Sequence, residues 1–318
     1  MKLLICTQAV DENDSDLGFF VAWIREFAAK CESVLVITLR EGKHSLPVNV
    51  EIYTLGTGRI RRAVELLHIA FMRRASYQAV FVHMNPEYVV VSGWLWKLLG
   101  KKIALWYTHK SVDFKLRAAT LFTDMILTAS KESFRLPGSK PVVVGHGIDT
   151  DFFTPDTAVQ RGTHILSAGR LSKTKNHDLI IRAAQKAGRE LRIAGEGPER
   201  AELETLAQEG GAQVEFLGGL TQLELRDQYR MAAHFVHASS TGSMDKVVLE
   251  AAACDCNVIT TVPDLYKDFP VQSAVATPEA IAAEILRSTR ESADRVSIIR
   301  NKHSLSVCIE KILWNIQN

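Results

Sequence analysis

Short apolar runs alternate with amphipathic helical stretches along the whole chain, and this alternation narrows the fold more than any other feature. Runs at 2–7, 33–39, 79–83, 102–106, 124–129 and 141–144 read as strands. They are apolar nearly throughout rather than at every second residue, which means burial on both faces. Between them Leu17, Phe20, Val21, Ile24, Phe27 and Ala28 follow helical spacing, with Asp16 the expected N-cap. Further helices are expected at 59–74, 86–99 and 112–121. The series then restarts. Strands at 163–168, 191–194, 213–217, 234–238 and 257–260 alternate with helices near 176–188, 199–209, 221–231, 246–254 and 276–290. Doubly buried strands joined by helices make parallel sheets covered on both sides. The predicted fold class is α/β, with two doubly wound domains, 1–155 and 156–302, facing each other across a cleft. The stretch 150–163, with Pro155 and Gly162, lies at the boundary. The segment 303–318 follows no strand and is expected to pack back as a helix on the first domain.

A length of 318 residues suits two domains, and 47% hydrophobic content excludes a disordered chain. Residues 1–150 carry 19 basic and 14 acidic side chains, whereas 151–318 carry 19 and 22. A basic half joined to an acidic half suggests two modules with different partners. Cys6, Cys31, Cys254, Cys256 and Cys308 form no CxxC pair. Zinc spacing and a disulfide scaffold are therefore excluded, and a reducing compartment is expected. The run Leu3–Cys6 is too short for a signal peptide. No run reaches the length of a membrane span. A pI near 8.2 without a recognition motif argues against nucleic acid.

The chemistry-bearing residues cluster where strands end. After Ser167-Ala168 comes Gly169-Arg170-Leu171-Ser172-Lys173-Thr174-Lys175-Asn176, and then a helix. Ligands of open α/β sheets bind outside the carboxyl ends of strands. Arg170 and Lys175 put two cations there beside a helix N-terminus, which suits a diphosphate. A solvated basic loop is the bland alternative. The strand at 234–238 runs into Ser240-Thr241-Gly242-Ser243-Met244-Asp245-Lys246, followed by an apolar helix that contains Glu250. A carboxylate in that place accepts from ribose hydroxyls. The alternative is an acidic residue favoured by the helix macrodipole. Gly195, in Ala194-Gly195-Glu196-Gly197-Pro198, marks a tight turn after the strand at 191–194.

In this order, "SAGRLSKTKNHDLIIRAA", "LRIAGEGPER", "VEFLGGL" and "SSTGSMDKVVLEAAAC" resemble the retaining glycosyltransferases of the GT-B fold, family 4. "VVVGHGIDTDFFTP" resembles the segment leading into the second domain of that family. Four ordered motifs carry the resemblance over about 140–262; over 1–139 it is weaker. It implies two Rossmann-like domains and transfer of a hexose, with retention, from a nucleotide diphosphate sugar to a hydroxyl acceptor, glycan or lipid-linked. It implies no metal and no cofactor, a cytoplasmic place of work and a role in cell-envelope polysaccharide biosynthesis. Arg170 and Lys175 would hold the diphosphate and stabilise its leaving charge, and Glu250 would bind the ribose. Gly18, Gly169, Gly195, Ser243, Met244, Asp245, Lys246 and Val248 complete the implied donor site. His109 would touch the transferred sugar, and His83 would serve the acceptor. The family pattern has a second glutamate eight residues before Glu250, where this chain has Gly242. Asp245 and Lys246 are then the candidates for its sugar contacts.

Other signals carry less. Asp14-Ser15-Asp16 and Asp149-Thr150-Asp151 look like metal-binding Asp-x-Asp but fit capping and turn roles. His234 and His237, three apart in a strand, point to opposite faces and are poor metal ligands. Basic and aromatic residues at 59–74 and 94–102 fit either a peripheral membrane contact at the inner face or an amphipathic core helix with solvated ends. Competing functions are a sugar-nucleotide epimerase and a non-catalytic nucleotide-sugar-binding protein.

Overall fold

The computed structural model describes residues 1–109, 112–138, 141–242, 244–267, 270–287 and 294–318. The chain forms two compact units, Met1–Gly147 with Leu305–Asn318, and Ile148–Ser304.

The first unit runs β1 (Lys2–Cys6), β2 (Ala9–Val10), α1 (Phe19–Lys30), β3 (Ser33–Thr38), β4 (Arg40–Glu41), β5 (Val50–Thr54), α2 (Arg59–Met72), β6 (Ala79–His83), α3 (Glu87–Leu98), β7 (Lys102–Trp106), α4 (Phe114–Thr120), β8 (Met125–Thr128) and β9 (Val142–Val143). Its main sheet is parallel, in the order β5-β3-β1-β6-β7-β8-β9. The second unit holds β10 (Ile165–Ala168), α5 (His177–Ala187), β11 (Leu191–Ala194), α6 (Arg200–Glu209), β12 (Val214–Gly218), α7 (Gln222–Met231), β13 (His234–His237), α8 (Lys246–Ala253), β14 (Asn257–Thr260), β15 (Gln272–Ser273), α9 (Pro278–Arg287) and α10 (Arg295–His303). Its sheet is also parallel, in the order β12-β11-β10-β13-β14-β15. Strand order reverses between β10 and β13, which is the switch point where such sheets open a crevice.

Each sheet is sandwiched because successive strand residues face opposite sides. Leu166, Phe235 and Val258 pack toward α7, α8 and α10. Their neighbours Ile165, Val236 and Ile259 pack toward α5, α6 and α9. In the first unit α11 (Leu305–Gln317) covers one face together with α1, through Cys308, Ile309, Ile312 and Ile316.

Several details differ from the sequence reading. The unit boundary falls at 147/148 rather than 155/156, because Ile148 and Phe153 are buried in the second unit's core. Strand β5 escaped notice because none of its residues is buried; an edge strand shows no apolar run. Asp16 does not cap α1. The Asp14 carboxylate does the local work, accepting from the amides of Asp16 at 3.0 Å and Leu17 at 2.8 Å. Asp149 likewise holds a turn, its carboxylate accepting from the Phe152 amide at 3.1 Å. The segment at 276–290 is helical over Pro278–Arg287, and 288–290 lie outside the described residues. Helix α10 was not foreseen, since its apolar residues follow no clear period.

The packing of α11 makes a direct prediction. Ile312 is fully buried, whereas Trp314 is 64% exposed. Ile312→Ala is expected to cost about 2–5 kcal/mol in urea unfolding, and Trp314→Ala to stay within about 0.5 kcal/mol.

Candidate functional site

Two loops meet at the switch point of the second unit. The first leaves β10 at Gly169, whose φ of +145° only glycine adopts readily. A 3₁₀ turn at Lys173–Lys175 then leads into α5. The second leaves β13 and enters α8 at Asp245. They are tied together by the Ser240 amide donating to the Thr174 carbonyl at 2.8 Å and by the Asn176 amide group donating to the Ala238 carbonyl at 2.7 Å. The turn after β11 braces the first loop from below. A Cβ on Gly195 would stand 2.0 Å from the Gly169 carbonyl oxygen, and one on Gly197 would stand 2.3 Å from that of Leu171. These glycines are therefore needed for backbone-on-backbone packing.

Lys175 lies across the loop mouth, its Cε 3.7 Å from where a Gly169 Cβ would be. Its ammonium sits 2.6 Å from Asp245 Oδ2. His237 Nε2 meets the same oxygen at 2.8 Å. Burial opposes the charge on Asp245, but hydrogen bonds from His237 and Lys175 outweigh it and hold the carboxyl well below the usual range. Asp245 occupies the N-cap position of α8 yet makes no side-chain cap bond. Arg170 is exposed, and among the described residues its side chain has no hydrogen-bond or ion-pair partner.

Glu250 is buried at 1% exposure, its Oε1 2.7 Å from Lys246 Nζ and its Oε2 accepting from the Tyr229 hydroxyl at 3.4 Å. Burial, reinforced by this carboxylate, pushes the Tyr229 phenol well above its ordinary value. Met244 is half-buried against the second unit's core. Val248 is fully buried, and its amide donates to the Asp245 carbonyl at 3.2 Å. Ser243 lies outside the described residues.

The first-unit candidates are placed differently. His109 is exposed beyond β7, with its ring 6.4 Å from that of Tyr107. His83 is 1% exposed and stacked between Phe20 at 4.0 Å and Trp106 at 5.2 Å. Such packing makes it a core residue. Gly18 starts α1, but a Cβ there would meet the carbonyl oxygens of Asp14 at 2.6 Å and Glu12 at 2.9 Å. The residue that sequence reasoning missed is His237. Strand alternation turned it away from His234, and nothing local announced a partner eight residues on.

Comparison with known proteins agrees with this picture. Residues 151–302, the stretch that contains the site, match the sequence model of the family glycosyl transferases group 1. The N-acetylgalactosamine-N,N'-diacetylbacillosaminyl-diphospho-undecaprenol 4-alpha-N-acetylgalactosaminyltransferase of Campylobacter jejuni is 31% identical over 153 residues, covering 43% of this chain and 41% of its own length. The phosphatidylinositol N-acetylglucosaminyltransferase GPI3 subunit of Saccharomyces cerevisiae is 26% identical over 146 residues, covering 43% and 32%. The chain spans under half the length of these curated relatives. Anabaena HepE, solved in complex with UDP, superposes over 100% of both chains with a TM-score of 0.74 at 15% identity. The fold is therefore of the GT-B type, with two Rossmann-like α/β units.

Two predictions follow from the local packing. Gly195→Ala puts a Cβ against the Gly169 carbonyl at a positive φ and is expected to cost at least about 2 kcal/mol in urea unfolding. His177, at the start of α5, is lowered by burial, then by the Lys175 charge, from 6.5 to about 4. Between these values the unfolded chain takes a proton that the folded one refuses. Stability is therefore expected to fall as pH drops from 6.5 toward 4, with no further loss from this group below that. Urea midpoints across that range should show a shallower slope in His177→Gln.

Proposed function

We propose that the protein is a retaining glycosyltransferase that moves a hexose from a nucleoside diphosphate sugar to a hydroxyl acceptor. The observation that carries this reading is that the loop bearing Arg170 and Lys175 meets the start of α8 at the switch point, with Lys175 2.6 Å from Asp245. A departing diphosphate develops negative charge, and preorganised cations and amides stabilise it where it forms. Glu250, one turn into α8, supplies the carboxylate for ribose hydroxyls. No metal is needed in this scheme, because Arg170 and Lys175 supply the countercharge. The leaving phosphate takes the acceptor proton as the new bond forms on the face it vacates. His109 is the first-unit candidate for contact with the transferred sugar. Cytoplasmic work follows from the nature of the donor.

The acceptor we propose is glycan or lipid-linked, and both curated relatives are named for lipid-linked acceptors. In the first unit α2 packs on α3, and α3 on α4. These helices leave Ile60, Val64, Trp94, Leu98, Phe114 and Leu121 exposed. Arg59, Arg61, Lys97 and Arg117 stand among them. Apolar side chains ringed by cations suit the interface of an anionic membrane. No helix among the described residues is long and apolar enough to cross a membrane, so the contact we propose is peripheral.

Thermal stabilisation by a panel of nucleotides and nucleotide sugars tests the donor site. A ligand at a hundred times its dissociation constant adds about 2.7 kcal/mol, and Arg170→Ala and Glu250→Ala should abolish the shift. No shift with any member would overturn the reading. The membrane contact is tested by co-sedimentation with phosphatidylglycerol vesicles. Binding should weaken in high salt and be lost in Trp94→Glu/Leu98→Glu, and equal binding to phosphatidylcholine vesicles would count against it.

A further inference from the structure

We infer that Asp245 is the sugar-binding carboxylate of the donor site, and that His237 and Thr260 are the positioning residues that aim it. This rests on the donor-site reading above and assigns the role left vacant by Gly242.

Asp245 stands at the N-cap of α8, yet its side chain makes no cap bond. Its side chain turns instead toward β13 and α5. Both of its contacts fall on one oxygen: Lys175 Nζ at 2.6 Å and His237 Nε2 at 2.8 Å reach Oδ2. Among the described residues Oδ1 has no hydrogen-bond partner, and it is not sealed from solvent. A carboxylate held on one oxygen and open on the other presents a fixed acceptor. Because Lys175 is also the diphosphate cation, that acceptor lies beside the point where the sugar joins the phosphate. Hydroxyl groups of the donor sugar are the matching chemistry.

His237 is 4% exposed, so its hydrogen bonds define its state. The Val262 amide donates to Thr260 Oγ1 at 3.2 Å. The Thr260 hydroxyl is then free to donate to His237 Nδ1, 3.1 Å away. That leaves the proton on Nε2, directed at Asp245. The chain of donors runs one way, from β14 through the imidazole to the carboxylate, so a neutral histidine suffices. The Tyr266 ring stands edge-on to the imidazole at 5.7 Å, and the Tyr266 hydroxyl accepts from the Asp245 amide at 2.8 Å. Main chain and side chain of Asp245 are thus both fixed.

The arrangement has a consequence of unusual sign. Asp245 screens Lys175 from a diphosphate while it helps hold the sugar. Asp245→Asn should therefore bind a nucleoside diphosphate at least as tightly as the wild type, yet bind the matching sugar nucleotide worse. Calorimetry with UDP, GDP, ADP and dTDP, each paired with its glucose or N-acetylglucosamine derivative (GDP-mannose for GDP), reads both. Relative to the wild type, the sugar nucleotide should weaken against the diphosphate by about tenfold, or 1.4 kcal/mol. His237→Leu should move the same ratio in the same direction. His237→Gln, which keeps an N–H, should restore most of it, and Thr260→Val should give a smaller loss. Melting temperatures are measured alongside. If both affinities fell together in Asp245→Asn or His237→Leu, the role would be merely structural and the inference wrong. If diphosphate binding tightened with sugar-nucleotide binding unchanged relative to it, Asp245 would only shield Lys175, and the inference would again fail. A wild type that bound no member of the panel would overturn the donor-site reading itself.

Discussion

The site depends on β10 and β13 lying parallel and adjacent. Neighbouring parallel strands release the chain at the same edge of the sheet. The strand order reverses between these two, so the helices that follow them, α5 and α8, pack on opposite faces. Their loops must part at that edge, and a crevice opens between them. The loop after β10 and the loop after β13 are therefore neighbours in space although about seventy residues separate them. Lys175 and Asp245 meet only because of this pairing.

Charge at the crevice is arranged with economy. A bare N-terminal helix end favours anions, and an aspartate at the N-cap would normally occupy it. Here the aspartate is drawn aside by a lysine and a histidine and makes no cap bond. Glu250 is treated similarly, held by Lys246 and Tyr229 inside a buried wall. Asp245 thus stays ionised in a partly dry site because His237 and Lys175 bond to its carboxylate.

The glycines of the site show how a short motif encodes a tertiary contact. Gly195 and Gly197 lie after β11, but the atoms that exclude a side chain there belong to Gly169 and Leu171. The Gly-Glu-Gly-Pro turn looked like punctuation between strand and helix. Its physical content is that two loops must touch through their backbones, so that the cationic loop is supported from beneath.

Much was legible in the chain itself. Fully buried parallel strands need unbroken apolar runs, and their helices need one apolar stripe, so the alternation set the fold class and most element positions. Arg170 and Lys175, in the loop after β10, and Glu250, in the helix after β13, stood out as candidates for a ligand site. What is not periodic stayed hidden. Edge strand β5 buries none of its residues, and the turn before α1 is held by Asp14, while Asp16 makes no cap. His83 and His237 have the same residue type and the same position at a strand end. One is sealed between aromatic rings, and the other is aimed at a carboxylate. Local sequence determines which residues can be buried and where strands and helices begin. Only tertiary packing decides which polar groups meet, because hydrogen bonds and ion pairs act over a few ångströms between segments far apart in the chain.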